Sequence, residues 1–236
     1  MTETEKIKQQ LVKQTLILKT GGIRPTAELG ESWIGAVKWA AKDETWPVGD
    51  DQELLTPLAT IFLPDHPAVP KVVREMKLIT IFWDTAAFTS GADKAWRDYF
   101  VIRSYPSVSK LEARNWQNEN ELDAFPLVLE ERKEEFPVWD SNDIPFAVRE
   151  SIVQLEEQQG LDYFEDIAGD YYAHAGHKIG GYPAYIQPGP CLPDSTAFVL
   201  QLSTDEKSGL WIVDNGSFYF YYDAVKQDWE VHCDFF

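Results

Sequence analysis

Asp170, His174 and His177 stand as D-x-x-x-H-x-x-H, a spacing that could bring one carboxylate and two imidazoles to one helix face for zinc. Ala175-Gly176 interrupts such a helix between the two histidines, and the H-E-x-x-H pattern is missing. No metal is expected; one imidazole is read as exposed and His177 as a hydrogen-bonding group that fixes the bend at Gly180-Gly181. The run Gly176-His177-Lys178-Ile179-Gly180-Gly181 is rich in glycine, but no Gly-Lys-Ser/Thr follows it. Tyr182-Pro183 makes it a tight bend, not a phosphate loop. Ser195 and Ser217 lie in no G-x-S-x-G context, and Cys191 sits among prolines with no histidine placed by a motif. No catalytic residue and no cofactor is assigned, and binding is favoured over catalysis.

The aromatic residues Trp33, Trp46, Tyr182, Tyr185 and Trp211 cluster near glycine and proline motifs. They read first as core, and otherwise as a stacking or partner surface, because Trp and Tyr dominate interface hot spots. With Arg24, His177 and Gln201 as polar groups, they form the candidate binding cleft. Acidic runs occur at Asp43-Glu44, Asp50-Asp51 with Glu53, Glu130-Glu131 with Glu134-Glu135, and Asp162, Glu165, Asp166 and Asp170. They keep a chain soluble, or they form a negative face that steers onto a basic protein partner.

These residues need elements to hold them. Ile7, Leu11 and Val12, among Lys, Glu and Gln, predict a short amphipathic helix from Thr4 to about Gln14. Strands are predicted at Lys77–Asp84, Tyr99–Ser104 and Phe125–Leu129. Asp143 as a cap and Pro145 in the first turn open a helix that runs to Gly160, and 3–4 spacing suggests another over Leu161–Tyr172. Asn215-Gly216 predicts a hairpin between the arms Trp211–Val213 and Ser217–Tyr222. In the second arm Phe218, Phe220 and Tyr222 share one face, and Tyr219 and Tyr221 the other, as in a strand covered on both sides.

The 236 residues carry 21 Lys and Arg against 39 Asp and Glu, a net charge of −18, with 44% hydrophobic and 14% aromatic residues. Such apolar content excludes a disordered chain, and no run approaches the ~20 residues of a membrane span. The carboxylate excess argues against nucleic acid as a partner. The length allows a single globular domain over residues 1–236. Two cysteines without a framework, and an N-terminus without a secretion pattern, point to the cytoplasm.

Four features recur in one order: Ile34-Gly35 and Ile179-Gly180, Trp46-Pro47 and Leu192-Pro193, Leu58–Ile61 and Val199–Leu202, then strands ending in Asp84 and Asp223. The order predicts an α+β fold of two similar, duplicated halves, about 16–140 and 143–236, with mainly antiparallel sheets, peripheral helices and a ligand cleft between the halves. Gly35, Gly180, Gly181, Pro183, Asn215 and Gly216 are its structural bends and turns. The run His177–Gln187, the strand Phe198–Leu202 and the segment Trp211–Phe220 resemble the YwqG-like family of bacterial proteins; Arg24-Pro25, Ser32–Gly35 and Trp46-Pro47 follow that family's order. Two departures stand out: Gly35-Ala36-Val37-Lys38 where the family has Gly-Gly-x-Pro, and Thr60 where Gln is expected. Residues 110–142 have no place in the resemblance. The resemblance implies two sheet-containing halves. Relatives encoded beside bacterial toxins make an immunity-type, non-enzymatic binding protein for a basic toxin the implied function. The alternative is a small-molecule binder or an enzyme that uses the cleft.

Overall fold

A computed structural model describes residues 1–26 and 28–236. The chain opens with α1 (Glu3–Leu11), which is closed by a capping box: Thr2 Oγ1 accepts from Glu5 N, and Glu5 Oε2 accepts from Thr2 N. The strands follow as β1 (Lys13–Thr20), β2 (Ser32–Ile34), β3 (Ala36–Ala41), β4 (Thr56–Phe62), β5 (Leu78–Trp83), β6 (Phe100–Tyr105), β7 (Leu111–Gln117), β8 (Phe125–Glu135), β9 (Lys178–Gly180), β10 (Thr196–Ser203), β11 (Ser217–Asp223) and β12 (Asp228–Asp234). Two further helices, α2 (Thr85–Thr89) and α3 (Phe146–Gln159), interrupt them.

Ten strands make one antiparallel sheet in the order β12-β11-β10-β9-β1-β8-β2-β4-β5-β6, and β3 with β7 makes a separate ribbon. The sheet curls until its two edges face each other. Trp229 Nε1 on β12 donates to Ser104 Oγ on β6 at 3.0 Å, and Arg97 Nε donates to the Trp229 carbonyl at 3.1 Å. The result is a nearly closed barrel whose last seam is held by side chains instead of a backbone ladder. Period-two alternation fills it: Leu16, Leu18, Ile79, Ile81, Leu200, Leu202, Phe218 and Phe220 all join one core. Phe100 reaches across that core to Phe218, with ring centroids 5.0 Å apart in an edge-to-face contact.

Three smaller layers cover the outside. The β3–β7 ribbon buries Val37 and Trp116 against Phe82, which points outward from β5. α1 and α3 pack Ile7, Leu11 and Ile152 around Phe136 and Tyr163. Residues 173–187 cover the outer faces of β10 and β11, where Tyr219 OH contacts the Ala184 carbonyl at 2.9 Å. Both faces of β11 are therefore covered.

The continuous sheet corrects the expected α+β fold of duplicated halves. β1 opens the first of those halves, yet it lies between β9 and β8 and is hydrogen-bonded to both. Neither half owns a sheet or a core, because the strands line one common interior. The recurring motifs report strand type and bend type, which recur in any antiparallel barrel, and carry no information on where a sheet divides. One expected helix is not an α-helix. Over Leu161–Tyr172 the chain makes a π turn (Tyr163–Ala168) and a 3₁₀ turn (Gly169–Tyr171).

Other elements differ in detail. α3 is capped at Pro145 without a side-chain bond, so Asp143 is released from the capping role. The segment before Asn215 forms no strand, because β11 is already paired on one side with β10 and on the other with β12. Ile212 instead tucks into the barrel core. Asn215 still takes a positive φ of 50°, in a turn closed by Gly216 N donating to the Ile212 carbonyl at 2.8 Å. Residues 110–142 supply β7 and β8, the second of which is a central strand.

Candidate functional site

β9 ends at Gly180, and the bend that follows is dictated by contact. Gly180 and Gly181 have φ values of +70° and +69°. A Cβ on Gly180 would stand 1.9 Å from the Ala68 carbonyl oxygen, and one on Gly181 would stand 1.9 Å from Glu135 Oε2. Only glycine fits both the dihedral and the space. The close approach brings the 67–70 loop onto β9 and lets Tyr182 N donate to Glu135 Oε2 at 2.7 Å.

Glu135, fully buried at the end of β8, is a hub. Its Oε1 also accepts from Lys178 Nζ at 3.0 Å and from His174 N at 2.9 Å. Burial pushes Lys178 down to about 8 even though Glu135 opposes the shift. Next to this pair, Gln201 Oε1 accepts from Ala184 N at 3.0 Å, and its amide donates to the Ala175 and Gly176 carbonyls at 3.0 and 3.2 Å. His177 Nδ1 accepts from Ser203 N at 2.9 Å, which leaves the ring proton on Nε2, 3.3 Å from Asp205 Oδ2. Burial works to raise the Asp205 carboxyl, but bonds from His177, Thr20 and the Lys207 N–H hold it below the carboxylate range. This buried polar layer fixes residues 173–187 on the outside of the barrel.

Above the bend lies a cleft of about 1010 Å³, walled by the 67–74 segment, the start of β1 and residues 185–198. Tyr185 and Tyr221 form one wall with their hydroxyls bonded together, and burial holds both phenols above their ordinary value. Gly189 rests on the Tyr185 ring, where a Cβ would lie 2.4 Å from it. The loop Gly189-Pro190-Cys191-Leu192-Pro193 thus stacks tightly and presents an exposed free thiol at Cys191. The Lys13 ammonium lies 3.8 Å from the centroid of Tyr182, and burial lowers it while Asp143 and Glu135 oppose. Asp143 is raised by burial against the pull of Lys13. Two buried atoms on residues of this wall, Gln14 Oε1 and Thr196 Oγ1, have no hydrogen-bond partner.

The residues proposed from sequence for one cleft are dispersed. Tyr185, Gly180 and Gly181 line this cleft, whereas His177, Tyr182 and Gln201 belong to the buried layer beneath it. Pro183 is buried in the covering segment. Trp46 lines a second cleft of about 450 Å³ with Asp84, Thr85 and Glu121. Trp33 lines a third of about 250 Å³, where the Lys38 ammonium lies 4.4 Å from its ring. Arg24 and Trp211 are exposed and line none of the three; Gly35 forms a bend against the Asp123 carbonyl. Asp170 is exposed, and among the described residues no group of three or more His, Cys, Asp or Glu side chains could hold a metal. Sequence reasoning missed Lys13, Gln14, Lys71, Arg74 and Asp143. The signal was faint: a Pro70-Lys71-x-x-Arg74 spacing and an Asp143 that reads equally well as a cap.

No curated protein matches the chain. The sequence model of a domain of unknown function, DUF1963, matches residues 32–228, a span that runs from β2 to the start of β12 and takes in the Gly180-Gly181 bend, the cleft loop and the buried polar layer. The chain belongs to the DUF1963 family.

Proposed function

We propose that the protein is a binding protein whose cleft above Gly180-Gly181 receives a small ligand. The observation that carries this reading is a cleft of about 1010 Å³ whose walls combine the Lys13, Lys71 and Arg74 cations with the Tyr185, Tyr221 and Phe198 rings. A concave site of this size, lined by apolar and aromatic groups with a few polar ones, is the usual form of a small-molecule site. The rigid setting supports it, since three glycines and four prolines shape the walls before anything binds.

The test is a metabolite screen on the full chain by thermal shift, combined with the rate at which a thiol reagent modifies Cys191. A ligand at about 100 times its Kd stabilises by about 2.7 kcal/mol and should also slow Cys191 modification. A screen in which no compound does both overturns the reading.

The finer family assignment, YwqG-like, and a cytoplasmic site of action with both thiols reduced belong to the same proposal. Among the described residues no helix is long and apolar enough to cross a membrane. A second reading, an immunity-type protein for a basic toxin, draws on the −18 charge and on the second cleft, whose walls include Asp51, Glu53, Asp84 and Glu121. It expects association with a basic nuclease that weakens steeply as salt rises; salt-independent association or none counts against it.

A further inference from the structure

The charge of the large cleft is opposite to that of the molecule. The chain carries 39 carboxylates against 21 Lys and Arg, yet the cleft walls hold Lys13, Lys71 and Arg74 against Asp143 and Asp194. Lys13 and Asp143 each favour the other's charged form and offset one another. That leaves Lys71 and Arg74 facing Asp194.

Local structure explains why these two cations act together. Pro70 leads into a 3₁₀ turn, Lys71–Val73, and Arg74 follows as its C-terminal cap. With three residues per turn, positions i and i+3 eclipse, so Lys71 and Arg74 leave the turn on one side. Val73 is fully buried in the barrel core and pins the turn. Arg74 Nε reaches the Val69 carbonyl at 3.5 Å, and among the described residues neither Lys71 nor Arg74 has a carboxylate within ion-pair distance. An unpaired cationic pair in so acidic a chain is placed to receive charge from outside it. Beside it, Phe198, Leu192 and Tyr185 offer an apolar wall.

We propose that the cleft selects an anionic small molecule, with a carboxylate or phosphate head held by Lys71 and Arg74 and an apolar or aromatic body against Phe198 and Tyr185. This rests on the cleft being a ligand site. An arginine fork takes two oxygens of either head, and a lysine adds a point charge.

The test uses the full chain and four probes that share a phenyl body: phenyl phosphate, phenylacetate, phenylacetamide and phenethylamine. Cys191 reports occupancy, because Cys233 is buried with its thiol pushed up to about 12 and does not react in the folded chain. Protection of Cys191 by phenyl phosphate or phenylacetate, but not by the amide or amine, is expected; which acid protects better separates the two heads. Lys71→Ala and Arg74→Ala, both at exposed positions, should each weaken that protection by about tenfold or more, with Arg74→Lys restoring part of it. Equal or better protection by the amide or amine, or protection unchanged in Arg74→Ala, overturns the anion assignment while the cleft remains a ligand site. If no probe and no compound of the metabolite screen protects Cys191, the ligand site falls, and this inference with it.

Discussion

Glu135 and Lys178 meet at 3.0 Å with neither side chain exposed. Removing one partner of such a pair leaves an uncompensated buried charge, so Lys178→Met should cost about 3–5 kcal/mol in urea unfolding. The usual rescue by an apolar pair should fail here. Glu135 also accepts from the backbone N–H groups of His174 and Tyr182, and adding Glu135→Leu would orphan both. The double variant should be less stable than Lys178→Met alone by about 1–3 kcal/mol for each orphaned group; a more stable double variant would show that the two backbone bonds matter little. Lys178 also gives a pH signature. Its folded value, about 8, lies below the ordinary 10.5, so between those pH values the unfolded chain keeps a proton that the folded chain has lost. Stability from this group is flat below pH 8 and rises above it, by at most about 1.4 kcal/mol per pH unit. The difference in unfolding free energy between wild type and Lys178→Met should shift toward wild type from pH 8 to pH 10; a flat difference would place the lysine's proton elsewhere.

Bends and turns are the elements that carry the site. Alanine at Gly180 or Gly181 meets a positive φ and an oxygen at 1.9 Å, whereas Gly91, at φ +70°, opens onto empty space. Gly91→Ala should cost about 1 kcal/mol from backbone strain alone, and the other two clearly more, since the Ala68 carbonyl or the Glu135 carboxylate must move. Equal losses in denaturant unfolding would mean that the bend is soft. Gly180 and Gly181 were read from the sequence as a bend, and β5 and β6 were legible as strands, because an apolar run bounded by turn residues reads as a strand wherever it lies. β8 was not. Its Glu130–Glu135 stretch looks like a solvated charge run, and only pairing with β1 and β2 makes it a central strand. The cleft was illegible for the same reason. Lys13, Lys71 and Arg74 are ordinary solvated cations until the barrel brings Lys13 and Lys71, 58 positions apart, back to one place. Trp33 and Trp46 failed in the opposite sense: both are aromatic residues near glycine and proline, but they sit against the β3–β7 ribbon, away from the Gly180-Gly181 bend.

At the scale of the whole molecule, a net charge of −18 on a compact barrel makes self-repulsion a standing cost that the expanded chain partly escapes. Raising sodium chloride from about 0.1 to about 1 M shortens the screening length from roughly 10 to 3 Å, so the thermal midpoint should rise. Potassium chloride should act alike, which separates screening from ion-specific effects, and a midpoint that falls would mean that surface ion pairs outweigh the repulsion. The position of β1 has a different consequence, for synthesis. This strand emerges long before β9: Thr15 bonds to residues 164 and 165 positions later, and its other neighbour is β8. At ~5–20 residues per second, the stretch Thr15–Leu18 waits roughly 8–33 s on the ribosome before its second neighbour exists. During that interval a bare apolar strand is offered to chaperones and to other nascent copies, so the yield of folded protein should depend on elongation speed as much as on final stability.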